Sequence, residues 1–550
     1  MSGEPLASPE FKPYKFHPVT QAYDAIVIGS GIGGLATAAL LAKYGARKVL
    51  VLERHYTPGG YTHVFHRPGY EWDVGVHYIG DLQPGSMLRA VFDVVGEGRI
   101  QWADMGEVYD RIVIGEEAYD FPKGRERFRE SMASRFPAEA AAIDAYLAAV
   151  REATAAVAPF QAAKVLPGPI AALAGRLLRR RFLSWTDRTT REVLEGFTRN
   201  QRLIAVLTGQ FGDYGLPPAQ SSFVIHAMVA NHYLKGGYYP VGGSGAIVES
   251  IAPVIAKSGG RVLINAEVAG IVVEGDRAVG VRMASDDAVI RAPIVVSDAG
   301  VDNTFGRLLP RDVAQRHGLP TQLRQVHASS AHLCLYVGLK ETARALGLPR
   351  HNLWVYPHED HERSFAESAR DPDAPLPAVF ISFPSAKDPD FENRHPGRAT
   401  IEVIALAPYT WFERWRDTRW KKRGAEYDAF KERIAQRMLE RLYEQLPLLR
   451  GKVDYFELAT PLTTRHFSGY GQGEIYGVDH TPQRFRQRFL APATAVPGLY
   501  LTGQDIVSCG VGGALMGGVL TASAILRRNL MTTIRRSAEE ARAQKGSPAP

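Results

Sequence analysis

A histidine and a tyrosine stand side by side in the stretch EWDVGVHYIGDL, which covers residues 71–82. Both residue types serve as general acids and bases, so His77 and Tyr78 are candidates for proton transfer with a bound substrate. The alternative is that they hydrogen-bond core backbone and that Gly75 and Gly80 allow close packing. The sequence on either side of this stretch decides between the two interpretations, because it determines where the two side chains lie in the fold.

The strongest pattern lies upstream, in the run YDAIVIGSGIGGLATAALLAKYGARKVLVLER. It predicts a strand over 25–28, a glycine turn, a helix over 35–43 and a strand over 49–52. Glycines in a G-x-G-x-x-G turn permit the tight turn, close approach to a pyrophosphate and packing of the helix on the strand. The helix N-terminus then faces the phosphates, and an acid after the second strand can bind ribose hydroxyls. The predicted dinucleotide-binding residues are Gly29, Ser30, Gly31, Ile32, Gly33, Gly34 and Glu53.

A second glycine motif, RHYTPGGYTHVF, follows Glu53 directly. Its R-x4-G-G spacing after a strand-ending acid resembles the FAD-dependent amine oxidase and phytoene desaturase superfamily. The resemblance implies FAD as the cofactor. It adds Arg54, Gly59, Gly60, Tyr61 and Thr62 to the predicted cofactor-binding residues.

The far end of the chain, PGLYLTGQDIVSCGVGGALMGGVLTASAIL, predicts a strand over 499–502, a glycine turn and a helix through residue 525. In this superfamily such an element closes the site, with the acid on ribityl or pyrophosphate oxygens and the turn against the flavin ring. A helix N-terminus there can stabilise negative charge on reduced flavin. The resemblance therefore implies cofactor contacts from Val268, Gly503, Asp505, Gly512, Gly513 and Ala514.

These pieces predict an α/β fold: a discontinuous, Rossmann-like FAD-binding domain with a parallel sheet and an inserted α+β substrate domain. No separate nicotinamide-binding domain is recognisable, so the electron donor stays unidentified. We expect the FAD-binding domain over 22–90, 236–308 and 458–530, the substrate domain over 91–235 and 309–457, and terminal arms over 1–21 and 531–550, the second a solvated helix.

The middle of the chain resembles one particular family within this superfamily. The stretch GQFGDYGLPPAQSSFVIHAMVANHYLKGGYYPVGGSGAI closely resembles retinol saturases, as do GVHYIGDL and LYLTGQDIVSCGVGGALMGG. The resemblance implies an FAD enzyme that saturates a carbon–carbon double bond of a hydrophobic polyene or isoprenoid, such as a retinoid or carotenoid, by hydride from flavin N5 plus a proton. The same FAD-binding fold is also compatible with a desaturase, a cis–trans isomerase, an amine oxidase-like enzyme or a non-catalytic polyene-binding flavoprotein.

In related flavoproteins the segment after the Gly-Gly motif returns beside the flavin, so His77 and Tyr78 are the predicted catalytic residues. An alkene is a poor hydride acceptor, which makes alignment and a positioned acid important. Asp213 and His232 are further polar groups that could face the pocket, although such a residue is more often a satisfied structural group. The predicted substrate-binding residues are Tyr214, His226, Tyr238 and Tyr239.

The amino-acid composition excludes few classes of function. The net charge is +7, but no nucleic-acid motif accompanies it. The two cysteines, Cys334 and Cys509, lack metal-ligand spacing, and no metal site is predicted.

The chain opens without an apolar signal region. Two long uncharged runs, 25–42 and 506–526, fit buried strand–turn–helix units better than transmembrane helices. These features predict a cytoplasmic protein. The segment 173–191 mixes six arginines with Leu, Phe and Trp. It is typical of a helix that contacts the inner face of an anionic membrane, or of an ordinary amphipathic surface helix.

Overall fold

The computed structural model describes residues 11–165, 175 and 179–544, with side chains as far as residue 540. Residues 173, 174 and 176–178 of the predicted basic segment lie outside the described residues, as do 1–10 and 545–550 of the predicted arms. Among the described helices, no single one is long and apolar enough to cross a membrane. Two consecutive helices, Gly510–Leu526 and Leu530–Glu540, are long and apolar enough when they are counted together. The chain bends by 112° between them.

A six-stranded parallel sheet, the central sheet, confirms the predicted α/β class. Ala25–Ile28, Val49–Leu52 and Val295–Ser297 are buried at every residue, as expected for apolar strands covered on both faces. The glycine-turn strands appear at the predicted positions, and the helix between them extends the prediction to Ile32–Gly45. In spatial order the strands are Phe11–Pro13, Arg261–Ile264, Val49–Leu52, Ala25–Ile28, Val295–Ser297 and Leu499–Leu501.

Different layers cover the two faces of the central sheet. A three-stranded antiparallel sheet, Val268–Glu274, Arg277–Met283 and Val289–Arg291, shares an apolar core with one face. Because the strands run parallel, their carboxyl ends meet at one edge, which is where ligands bind in such sheets. The helices on the other face are Ile32–Gly45, Met87–Val95, Gly245–Ala256, Gly510–Leu526 and Leu530–Gln544.

Both predicted arms contribute to this core. Phe11–Pro13 pairs in parallel with Val262–Ile264 and so extends the central sheet by an edge strand. In the C-terminal helix, Ile534 is completely buried. The expectation of a solvated helix is wrong for its first turns, because their apolar side chains pack on the helices Met87–Val95 and Gly510–Leu526.

A seven-stranded mixed sheet joins two distant segments of the chain. Val108–Ile114 pairs in parallel with Asn352–Tyr356, while the other pairs are antiparallel. The helix Ala425–Gln445 shares one apolar core with this sheet, and the helices Arg125–Arg135, Ala140–Ala155 and Phe223–Tyr233 contribute to another. In order its strands are Val453–Ala459, Ala331–Leu339, Ala399–Ala407, Val379–Ser382, Asn352–Tyr356, Val108–Ile114 and Glu117–Pro122.

Smaller elements complete the described fold. The hairpin Val64–Arg67 with Tyr70–Asp73 follows the Gly-Gly motif, and a small sheet contains Ile79–Gly80, Gly237–Pro240 and Trp102–Asp104. Further helices are Val157–Ala163, 179–186, Thr190–Glu195, Gln201–Leu207, Val301–Asn303, Arg311–Arg316, Leu319–Leu323, His361–Arg370, Pro384–Lys387, Phe391–Arg394, Pro461–Ser468 and Pro482–Arg486. Thr304–Leu308 is a π-helical turn, and the 3-10 turns are Tyr14–Phe16, Gly60–Thr62, Pro137–Glu139, Phe211–Asp213, Tyr409–Trp411, Glu413–Trp415, Pro447–Leu449 and Gln504–Ile506.

Candidate active site

A cavity of about 1760 Å³ extends from the carboxyl edge of the central sheet to the seven-stranded sheet. A pocket for one drug-sized ligand holds roughly 300–1,000 Å³. This cavity therefore has room for a dinucleotide and a second molecule. Its two ends differ in chemistry, the first built from glycines, helix N-termini and acids and the second from apolar and aromatic side chains.

The glycine turn forms the wall at the first end. Gly29 has a φ of +94°, which suits glycine, and a Cβ on Gly33 would lie 2.5 Å from the Cα of Gly503. A Cβ on Gly34 would lie 2.5 Å from the carbonyl oxygen of Gly29. The glycines thus permit the turn and let the helix pack tightly. Of the predicted set, Gly29, Gly31, Ile32 and Gly33 line the cavity, whereas Ser30 and Gly34 lie behind it.

Glu53 lines the cavity and also fixes the shape of the turn. Its carboxylate accepts hydrogen bonds from the Ser30 backbone N–H at 2.9 Å, the Ser30 hydroxyl at 2.6 Å and the His55 N–H at 2.7 Å. Ser30 Oγ in turn accepts from the Gly59 N–H at 2.9 Å, which ties the two glycine motifs together. The neighbouring predicted residues Arg54, Gly59, Gly60, Tyr61, Thr62 and Val268 also line the cavity.

The C-terminal glycine element lies beside this turn. Asp505 lines the cavity, and its carboxylate accepts the N–H groups of Val301 at 2.8 Å and Val478 at 2.9 Å. Ala514 lines the cavity together with Gly510 and Val511, so the N-terminus of the helix Gly510–Leu526 faces it. The predicted Gly503, Gly512 and Gly513 do not form its wall; a Cβ on Gly513 would lie 2.5 Å from Ser508 Oγ, so this glycine serves packing.

Asp298 is a cavity residue that sequence reasoning missed. It directly follows the strand Val295–Ser297 at the carboxyl edge, and that position is the signal that could have identified it. Burial raises the pKa of Asp298 to about 8, and the nearby Glu53 adds to the shift. The side chain is therefore largely un-ionised at neutral pH and does not repel an anionic ligand.

These features fit FAD. Two helix N-termini face one cavity and suit a pyrophosphate, and the Glu53 carboxylate retains lone pairs for ribose hydroxyls. Gly60 and Gly31 pack so closely that a Cβ on Gly60 would lie 3.1 Å from the Gly31 Cα, which keeps this wall free of side chains. Backbone can thus approach the cofactor directly.

His77 lines the cavity, and a buried glutamate orients it. Its Nδ1 lies 2.6 Å from Oε2 of Glu402, and its carbonyl oxygen accepts from Lys387 Nζ at 2.8 Å. Burial, and then the charge of Lys387, lower the pKa of His77 to about 3, while burial raises that of Glu402 to about 8. Burial therefore favours the uncharged form of both groups. Glu402 escaped sequence reasoning, since it lies 325 residues away in the strand Ala399–Ala407.

Tyr78 does not line the cavity with His77, because its side chain points into the core. Its ring stacks on Tyr233 at 4.1 Å, and its hydroxyl donates to Asp110 at 2.8 Å. The hydroxyl also lies 3.2 Å from the carboxyl of Asp213, which does line the cavity. Tyr78 is thus one step removed from any bound substrate.

The four predicted substrate-binding residues are also absent from the described cavity wall. His226 is enclosed between Tyr146, whose hydroxyl lies 3.0 Å from Nε2, and Tyr214, at 3.2 Å from Nδ1. Tyr239 donates to Asp73, a buried acid that also accepts the Ser244 N–H. Tyr238 lies at the edge of the central apolar core. Apolar cavity residues come instead from the seven-stranded sheet and from Ala378, which precedes one of its strands. The sheet residues are Tyr336, Trp354, Phe380, Ile404 and Leu406.

The acids that precede His77 have structural roles. Glu71 bonds Arg394 at 2.6 Å and His66 at 2.8 Å, and these partners hold the pKa of Glu71 below its usual range. His232 accepts the Gly80 N–H at 2.7 Å, which explains that histidine without any substrate.

The parallel sheet, the glycine turns and the acid that follows the second strand define an FAD-dependent oxidoreductase. The chain belongs to the flavin containing amine oxidoreductase family, whose family model matches residues 32–526.

Comparison with individual proteins is more specific than the match to the family model. The chain is 38% identical to the all-trans-retinol 13,14-reductase of Danio rerio over 93% of its own length and 87% of that protein. It is 27% identical to the chloroplastic prolycopene isomerase of Daucus carota over 88% of this chain and 77% of that one. An oxidoreductase of Methanosarcina mazei shares the fold, with a TM-score of 0.59 at 17% identity, covering 92% of this chain and all of that one.

Proposed function

We propose that this protein uses FAD to saturate a carbon–carbon double bond of a hydrophobic polyene or isoprenoid. The observation that carries the proposal is the continuity of the cavity, which joins the FAD end to a wall of apolar and aromatic side chains from the seven-stranded sheet. The similarity to a retinol reductase supports the substrate class. FAD, when bound and reduced, supplies a hydride.

The apolar compartment binds and aligns the substrate. Trp354 and Phe380 lie with ring centroids 4.5 Å apart and present aromatic surface to the cavity beside Ile404 and Leu406. A flexible polyene buried there contributes roughly 25 cal/mol for each Å² of apolar surface removed from water. The same walls exclude water, which protects a hydride donor and fixes the alkene for attack.

His77 is the residue we propose to orient the alkene. The hydrogen bond with Glu402 holds the imidazole by Nδ1 and leaves Nε2 available at the cavity wall. Lys387 fixes the backbone of His77, and it is itself held by Ser382 Oγ at 2.8 Å. The ring is therefore pre-organised without a charge that would repel an apolar ligand.

Reoxidation of reduced flavin tests the proposal. The purified flavoprotein is reduced without oxygen, mixed with retinoids, carotenoids and shorter isoprenoid alkenes, and followed by absorbance. We expect at least one polyene to reoxidise the flavin. In a separate assay the oxidised enzyme is mixed with primary amines in air, and we expect no peroxide. Amine-dependent peroxide release would support an amine oxidase instead, and bound lipid without turnover would support a non-catalytic carrier.

Isomerisation is the second candidate, favoured by the similarity to prolycopene isomerase. The same cavity could hold a carotenoid whose double bond changes geometry without net redox change. Product mass separates the reactions, since saturation adds two hydrogens, desaturation removes two and isomerisation changes none.

Delivery of the substrate from a membrane is part of the proposal. In the described part of 173–191, Arg180, Arg181 and Arg188 are exposed. Phe182, however, is buried and stacks on Phe160 at 3.8 Å, and Trp185 packs on Phe223. The aromatic side chains thus face the core, so the contact that we propose is electrostatic, between these arginines and anionic lipid. The electron donor stays unidentified.

A further inference from the structure

Two carboxyl groups share one phenol behind the cavity. The Tyr78 hydroxyl lies 2.8 Å from Oδ2 of Asp110 and 3.2 Å from Oδ2 of Asp213. A phenol has one hydrogen to donate, so it cannot satisfy two carboxylates at once. At least one of the two acids must carry its own proton.

The other partners decide which acid is protonated. Asp110 accepts the Gln210 amide at 2.7 Å and the Asn352 amide at 2.8 Å, in addition to Tyr78. Three donors stabilise the ionised form, and burial raises the pKa of Asp110 only to about 6. Asp110 is therefore the carboxylate, and Tyr78 gives its hydrogen to it.

Asp213 has the opposite surroundings. Among the described side chains, Tyr78 is the hydrogen-bond partner of Asp213. While the Tyr78 hydroxyl donates its hydrogen to Asp110, its oxygen can only accept a hydrogen bond from Asp213. Burial, with the nearby charge of Asp110, holds the pKa of Asp213 well above its usual range. Asp213 is thus an un-ionised carboxylic acid at the wall of the cavity.

The backbone fixes Asp213 at the junction of the two ends of the cavity. Asp213 closes the 3-10 turn Phe211–Asp213, and its carbonyl oxygen lies 3.3 Å from Sγ of Cys509, the residue that caps the helix Gly510–Leu526. The preceding Gly212 carbonyl accepts the Tyr476 hydroxyl at 2.9 Å. The acid therefore sits beside the helix N-terminus that faces the cofactor end.

We propose that Asp213 is the proton donor of the saturation reaction, with Tyr78 as its positioning residue; this rests on the proposed function. The π bond of the alkene breaks as one carbon takes the hydride from the reduced cofactor and the other takes the proton of the Asp213 carboxyl. Asp213 becomes a carboxylate, and the Tyr78 hydroxyl can turn its hydrogen from Asp110 to stabilise it. Water that enters after product release restores the proton.

His77 is the weaker donor of the two cavity residues. Because the pKa of His77 is lowered to about 3, its ring is a neutral imidazole at neutral pH and gives up a proton reluctantly. A carboxylic acid that burial keeps protonated is better matched to the task.

The test compares Asp213→Asn with the wild type and with Asp287→Asn, an exposed aspartate paired with Arg282. In single-turnover reactions with the polyene that reoxidises the wild type, we expect Asp213→Asn to be slower by about 100- to 10,000-fold. Asp287→Asn should match the wild type, and Asp213→Glu should recover part of the rate. The wild-type rate should fall at high pH as Asp213 ionises, whereas the residual Asn rate should be flat.

A second measurement is independent of turnover. Infrared spectra of the FAD-loaded proteins should show a carboxylic acid C=O band that Asp213→Asn removes and that Tyr78→Phe shifts. Wild-type rates in Asp213→Asn, or an unchanged infrared spectrum, would overturn the proposal. Failure of the wild type to saturate any polyene would instead overturn the proposed function, and the donor role with it.

Discussion

Burial, more than pairing with cations, sets the protonation of the acids around the cavity. Asp298 at the FAD end and Glu402 behind His77 both have pKa values raised to about 8, with desolvation as the largest cause. Lys387 is buried next to Glu402, and its own pKa is lowered to about 7. Burial therefore favours the uncharged form of each of these three groups.

Asp298 gives a stability prediction with a definite sign. Its pKa rises from 3.8 to about 8 on folding, so the folded state holds a proton that the unfolded state releases. Its contribution to stability is complete below pH 3.8 and is lost as pH rises to about 8. As pH rises through this range, the wild type should lose stability relative to Asp298→Asn. The difference in free energy of unfolding, variant minus wild type, should therefore increase. Urea titrations at matched FAD saturation measure it, and a difference independent of pH would refute the assignment.

His77→Gln tests the proposed orienting role. Glutamine keeps hydrogen-bonding capacity but does not reproduce the imidazole geometry, so FAD should stay bound while reoxidation by substrate slows by about 100-fold. His317→Gln is the matched control, because His317 bonds the exposed Asp276. Stopped-flow absorbance gives the rate. A single-turnover rate equal to wild type would remove His77 from the mechanism.

At the scale of elements, local patterns were enough to predict the FAD end. The strand–turn–helix unit depends on neighbours within about 30 residues, and the strands Ala25–Ile28 and Val49–Leu52 match the predicted positions. Asp298 directly follows the strand Val295–Ser297, so the rule that parallel strands end at the ligand edge is sufficient to identify it. How these residues contact FAD stays a prediction.

The substrate end could not be predicted in this way. Its wall comes from a sheet that pairs Val108–Ile114 with Asn352–Tyr356, segments about 240 residues apart that share no local signal. Tyr214 and His226 have types that suit a pocket, yet the core satisfies both. Polarity in a sequence does not reveal whether a side chain faces a cavity or a buried partner. The division into two domains stays a prediction.

The glycine turn yields a prediction at this scale. In Gly33→Ala the new methyl would meet the Gly503 backbone, which cannot move easily, whereas in Gly306→Ala the nearest atom is a flexible carboxylate oxygen 3.7 Å away. We expect Gly33→Ala to lose roughly 1–3 kcal/mol of stability and to retain less FAD. Flavin content and the urea midpoint report both effects. Equal behaviour of the two variants would show that this contact is not essential.

At the scale of the whole molecule, the basic segment predicts binding to anionic membranes. Changing the four arginines 176, 179, 180 and 181 to glutamate should abolish flotation with phosphatidylserine vesicles. The control changes Arg277, Arg282, Arg291 and Arg316, which are exposed and lie elsewhere. No flotation of the wild type, or an equal loss in both variants, would contradict a specific contact. Salt should weaken the wild-type binding.

The whole molecule brings its dinucleotide end and its apolar end together in one cavity, and the central claim is that hydride transfer occurs between them. The most direct measurement is the mass of the product after the reduced protein reacts, without oxygen and in deuterated water, with the polyene that reoxidises it. We predict a gain of two hydrogens, both of them deuterium, because the N5–H of the reduced flavin and the acidic hydrogen of the proton donor both exchange with the solvent. A product of unchanged mass, or one that has lost two hydrogens, would contradict saturation.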